Sequence, residues 1–91
     1  MIINLSEAEE NKNYEVKYIN GGFGLIKRLK DLGFINNEII KVLKNDKSSP
    51  LLINVKGTNI VLGKGVARKI LVEETKIIEE IESSKVWILL I

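Results

Sequence analysis

A chain of 91 residues supports one domain, and 45% hydrophobic with 29% charged residues is the composition of an ordinary globular protein. With no cysteine and no histidine, disulfides and thiolate metal sites are excluded, and the commonest metal ligand and general base is missing. A net charge of +2 is too weak to argue for nucleic acid or a membrane surface, and no basic-then-apolar leader opens the chain, so a cytoplasmic location without a signal peptide is expected.

Met1 to Leu5 is a short apolar start. Ser6 and Glu9 have the spacing of a capping box and predict one helical turn. After a turn at residues 11–13, alternating apolar and polar residues predict a first strand over Tyr14 to Ile19. Gly21 and Gly22 break that strand. A short helix follows, in which Leu25, Leu29 and Leu32 share one face, Ile26 widens the stripe, and Lys27, Arg28 and Lys30 point elsewhere. Asn20 or a neighbouring glycine caps its start, and Gly33 suits the left-handed position past its end. Asn36 and Asn37 make a turn, because asparagine tolerates the left-handed region. Further strands are predicted over 39–44, 51–55, 59–62 and 70–72, separated by a loop ending at Pro50, a tight turn at Gly57, and one helical turn over 66–69.

Five short strands at close spacing predict a mainly β fold, a small five-stranded barrel with one helix after the first strand covering an open end. This domain is expected over residues 1–74. Residues 75–91 form an appended segment, with Ile77, Ile78 and Ile81 at helical spacing and then the uniformly apolar Val86, Trp87, Ile88, Leu89, Leu90 and Ile91. That run is far short of the ~20 residues of a membrane helix, so no stable membrane insertion is expected. It is too apolar to lie in water, and it is expected to pack on its own barrel or to drive self-association, as in a homodimer.

From residue 3 to about 73 the chain resembles the FeoA family. Leu5 and Ser6 resemble its opening; Gly21 and Gly22 precede Arg28 and Leu29; Leu32, Gly33 and Phe34 complete a signature of the form Arg-Leu-x-x-Leu-Gly-hydrophobic. A strand over 39–43, Pro50 before the next strand, and Ala67, Ile70 and Val72 follow in order. Asn36 and Asn37 stand where Pro-Gly is usual, and the resemblance does not reach 75–91. It implies an SH3-like barrel and a cytoplasmic accessory role in bacterial ferrous iron uptake, beside the FeoB transporter with its GTPase domain. The same barrel type occurs as a regulatory domain in iron-dependent repressors, so the fold alone does not fix the function.

Residue by residue, chemistry is sparse. Gly21 to Gly24 before a helix has the makings of an anion nest, but a tight turn accounts for it. Gly57 to Gly65 lacks the spacing of a phosphate loop, and no Ser or Thr follows Lys64. Serines without histidine offer no nucleophile–base pair, and scattered carboxylates are poor iron ligands without imidazole. No catalytic, cofactor or metal residues are assigned and no enzyme activity is expected. The candidate partner-binding residues are Lys27, Arg28 and Lys30, meeting an acidic surface of a FeoB-type transporter's cytoplasmic portion. The candidate self-association residues are 86–91. A nucleic-acid-binding barrel, disfavoured by the small charge and two arginines, and a metal-responsive regulatory domain are the alternatives.

Overall fold

A computed structural model describes residues 1–46 and 48–75 as one curled antiparallel sheet. Its strands are β1 (Ile2–Asn4), β2 (Asn13–Ile19), β3 (Ile39–Lys44), β4 (Leu51–Val55), β5 (Thr58–Leu62) and β6 (Ile70–Glu74), in the spatial order β1-β6-β2-β3-β4-β5. Helix α1 (Phe23–Asp31) joins β2 to β3, and a four-residue helix α2 (Lys64–Ala67) joins β5 to β6. Of the segment expected over 75–91, Thr75 is described and donates its N–H to the Asn13 carbonyl at 2.9 Å, while residues 76–91, with the six apolar ones, lie outside the described residues.

The period-2 pattern becomes a core directly. Tyr14 and Val16 of β2, Ile40 and Val42 of β3, Leu51, Ile53 and Val55 of β4, and Ile70 and Val72 of β6 are all buried on the concave side. Tyr14 is buried with its hydroxyl satisfied, accepting the Glu9 N–H at 2.9 Å. Register shifts interrupt the β2–β6 ladder between Val16 and Tyr18 and the β3–β4 ladder between Val42 and Lys44. Such bulges sharpen the bend of a strand, which lets a small sheet wrap round one core. The wrap stops short of closure: β1 and β5 are the two ends of the strand order and share no ladder. The mainly β fold is as the sequence predicts, while "barrel" describes the curl and not a closed cylinder.

Three details differ from the sequence reading, the first being that the helical turn expected over 66–69 lies two residues earlier, as α2. A sixth strand, β1, pairs with β6 through Ile2–Glu73, Ile3–Val72 and Asn4–Leu71. The helical turn sits earlier than the Ser6–Glu9 spacing suggests, as a 3₁₀ turn over Leu5–Glu7. Asn4 caps it: its Oδ1 accepts from the Ser6 N–H at 3.1 Å and from the Ser6 hydroxyl, and its Nδ2 donates to Glu7 at 3.0 Å. Starting there buries Leu5 completely, which a turn beginning at Ser6 would not require.

Candidate docking surface

Helix α1 is built to sit on the core with a narrow contact. Gly22 is its N-cap in extended conformation, and the cap uses no side-chain hydrogen bond. The glycines at this end therefore serve the tight turn. The other end is a Schellman motif. Gly33, at φ +108°, donates its N–H to the Lys30 carbonyl at 2.9 Å, and Phe34 donates to the Leu29 carbonyl at 2.9 Å. The motif brings two buried side chains together, Leu29 on the helix and Phe34 beyond it. It also corrects one expectation: Leu32 caps the helix and is 48% exposed, because Phe34 takes the core position that continues the stripe. Leu25 and Ile26 are half-buried, and Leu29 alone among the nine helical residues is fully buried.

The opposite side of α1 faces water. Lys27, Arg28 and Lys30 are all exposed, as expected. At about 100° per residue, Lys27 and Lys30 flank the direction of Phe23, whereas Arg28 stands more than a quarter-turn away, toward Leu32. So Lys27 and Lys30 are brought together and Arg28 is at the flank. Between them lies a shallow depression of about 220 Å³ lined by Phe23, Ile26, Lys27, Lys30 and Asp31. Phe23 is 86% exposed, an aromatic ring held in water beside two cations. The sequence reading treated Phe23 only as part of a glycine-rich turn. Its phase was the available signal, since residue 23 falls off the face shared by Leu25 and Leu29.

Electrostatics separate these cations from half of the other described lysines and arginines. Lys12 bridges Glu9 at 2.9 Å and Glu74 at 3.5 Å; Lys17 bridges Glu15 at 3.1 Å and Glu73 at 3.5 Å; Lys56 reaches Glu38 at 3.4 Å. The hydrogen bond it donates to Glu9 holds the Lys12 ammonium above its ordinary value, and the one donated to Glu15 does the same for Lys17. Lys64 is engaged by Asn45 Oδ1 and the Asp46 carbonyl. Among the described residues, Lys27, Arg28 and Lys30 take part in no ion pair. Lys41, Lys44, Arg68 and Lys69 share that freedom. Lys69 lies close to the approach to α1, its carbonyl accepting the Asn20 N–H at 2.7 Å.

The described carboxylates do not gather into a metal centre. Glu73 accepts from the N-terminal ammonium at 3.1 Å, which with Lys17 holds it below its ordinary range. Among the described residues no group of three or more potential ligands is placed to hold a metal ion. Gly63 caps α2, and its neighbours Lys64 and Gly65 belong to that short helix and to no phosphate loop. No helix among the described residues is long and apolar enough to cross a membrane.

Comparison with known proteins assigns this frame. The chain is 38% identical over 72 residues to a Methanocaldococcus jannaschii protein named "Putative Fe(2+) transport protein A", covering 79% of this chain and 87% of the relative. The crystal structure of an iron uptake regulatory protein, FeoA, superposes with a TM-score of 0.78 at 29% identity, covering 82% of this chain and all of the other. The zinc-complexed FeoA of Stenotrophomonas maltophilia, described as an SH3 domain protein, shares the fold at a TM-score of 0.70 and 24% identity, over 78% of this chain and 89% of the other. The apo form of the manganese-activated repressor ScaR contains the fold as well, with a TM-score of 0.72 at 28% identity over 80% of this chain but 35% of the repressor. The model of the FeoA domain matches residues 3–74, and this chain belongs to the FeoA domain family.

Proposed function

We propose that this protein is a non-catalytic, cytoplasmic accessory component of ferrous iron uptake, and that it docks through the outer face of α1 on the cytoplasmic portion of a FeoB-type transporter. The observation that carries the reading is the pairing of FeoA family membership over residues 3–74 with an exposed Phe23 between the unbridged Lys27 and Lys30. An aromatic anchor with a cationic rim fits an acidic surface that offers an apolar notch. The accessory role is supported by what the relatives are named for: transport of Fe(2+) in one, and a candidate transport activating factor in the zinc-complexed structure. The non-catalytic reading is supported by a chain without cysteine or histidine.

The test is retention of the protein by the cytoplasmic part of its cognate transporter, with affinity read by calorimetry. A Lys27→Glu/Lys30→Glu variant is expected to bind about tenfold or more weakly, and wild-type binding is expected to weaken as salt rises. Retention that is absent at high micromolar concentration with both partners folded, or unaltered in the double variant, removes the proposal.

A further inference from the structure

A second surface, independent of the docking face, is the open side of β5. The β4–β5 hairpin closes through Lys56 and Gly57, both at positive φ (52° and 83°), the conformation of a two-residue type I′ turn. In such a hairpin the pair flanking the turn exchanges both hydrogen bonds, and successive pairs then alternate. Val55–Thr58, Ile53–Ile60 and Leu51–Leu62 are therefore the bonded pairs, and Asn59 and Val61 turn their N–H and C=O to the open side. Edge strands are ordinarily protected by charge, proline, a bulge or brevity. Residues 58–62 include no charged residue and no proline, the β4–β5 register runs without a shift, and Val61 is 67% exposed. At the other end of the sheet, β1 is only three residues long.

The chain carries a segment that matches this edge. Residues 86–91 are six uncharged, β-prone residues, and they lie beyond the family match, which ends at residue 74. Val86, Ile88 and Leu90 alternate with Trp87, Leu89 and Ile91, so a strand formed here is apolar on both faces and needs cover on both. Laid along β5, one row would extend the core past Ile60 and Leu62. The other row would lie beside Val61 and its cross-strand neighbour Leu52, on the side exposed to water. One copy of the sheet covers one row. A second copy, added by a two-fold operation, covers the other with the same patch.

We infer that residues 86–91 of one protomer add as a strand to the β5 edge of a second copy of this chain, and that the exchange is reciprocal. Residues 76–85 span roughly 33 Å when extended, which gives the strand the reach to leave its own sheet. The Leu52–Val61 patches of the two copies then meet across the two-fold axis.

Sedimentation of the full chain decides it. The wild type is expected at twice the monomer mass, with the Asn59 and Val61 amides protected from hydrogen exchange. Val61→Pro removes one outward N–H without touching the pairing to β4, and it is expected to halve the mass; Val61→Ile keeps the N–H and the dimer. Ile88→Lys in the donated strand is expected to halve it too, and it decides the matter should the proline variant fail to fold. A wild type that sediments as a monomer overturns the inference, including one with protected edge amides, where the chain's own segment occupies β5. A dimer that survives both Val61→Pro and Ile88→Lys overturns it as well.

Discussion

Gly33 carries two constraints that no other residue type meets. Its φ of +108° lies where side chains are disfavoured, and a Cβ there would stand 2.8 Å from Val55 Cγ1, a core atom with no room to withdraw. Gly33→Ala is therefore expected to destabilise the fold by about 1–3 kcal/mol, read by urea denaturation. It loosens the end of α1, and so it is also expected to weaken partner binding through the helix's orientation. Phe23 is the contrasting case. With 86% of its surface in water it contributes little to folding, so Phe23→Ser is expected to change stability by no more than about 0.5 kcal/mol. The same variant is expected to lose binding to the transporter fragment. Unchanged binding would show that the ring is ordinary exposed surface.

Among elements, the connections between strands are tied to one another by side-chain hydrogen bonds. Asn45, just past β3, donates through Nδ2 to the Ser6 carbonyl at 3.0 Å and the Ala8 carbonyl at 2.6 Å, while its Oδ1 accepts from Lys64 of α2. Its backbone N–H donates to Glu10 at 2.7 Å. One side chain thus ties the β3–β4 loop to the β1–β2 connection and to α2. Asn45→Ala leaves two carbonyls and an ammonium without these partners and is expected to cost about 1–3 kcal/mol in a denaturant titration. Asn45→Asp keeps the acceptor for Lys64 but loses both donors, and it is expected to recover only part of that. None of this was legible in the sequence, because the partners lie 37 and 39 residues away and nothing periodic marks them. What was legible is what repeats. The alternation over 14–19 placed β2 to within a residue, the apolar-rich runs over 39–44 and 51–55 matched β3 and β4, and the spacing of Leu25 and Leu29 marked the helix between Gly22 and Gly33. β1 escaped because three residues establish no period. The 3₁₀ turn was misplaced because a Ser-x-x-Glu spacing does not say which turn the core will bury. At the docking face, Lys27, Arg28 and Lys30 were readable as exposed cations, whereas the free Phe23 emerged only once its phase was set against the buried stripe.

For the molecule as a whole, the exposed charges make an arrangement with a defined pH response. The N-terminal ammonium, Glu73, Lys17 and Glu15 form a chain of alternating sign across β1, β6 and β2, and Glu9, Lys12 and Glu74 form a second one beside it. Glu73 is held below its ordinary value near 4.5, first by the hydrogen bond from the terminal ammonium. Asp46 is held below 3.8, first by its hydrogen bond with Ser49. A carboxyl depressed in the folded state binds its proton more readily when unfolded, so its stabilisation is complete above the unfolded value and fades as pH falls through the folded one. Lys12 and Lys17 are raised above 10.5, so theirs is complete below that value and fades as pH rises past the folded one. With no histidine in the chain, the side chain that ordinarily titrates near neutrality is missing. The melting temperature is therefore expected to fall as pH drops below about 4.5, and to fall again as pH rises above about 10.5. Because the groups are solvent-exposed, the acid decline is expected to flatten in about 1 M salt, where the Debye length shrinks to about 3 Å. Calorimetric scans across pH at low and high salt check this. An acid decline equally steep at both salt concentrations would place its origin in a buried group and not in these surface chains.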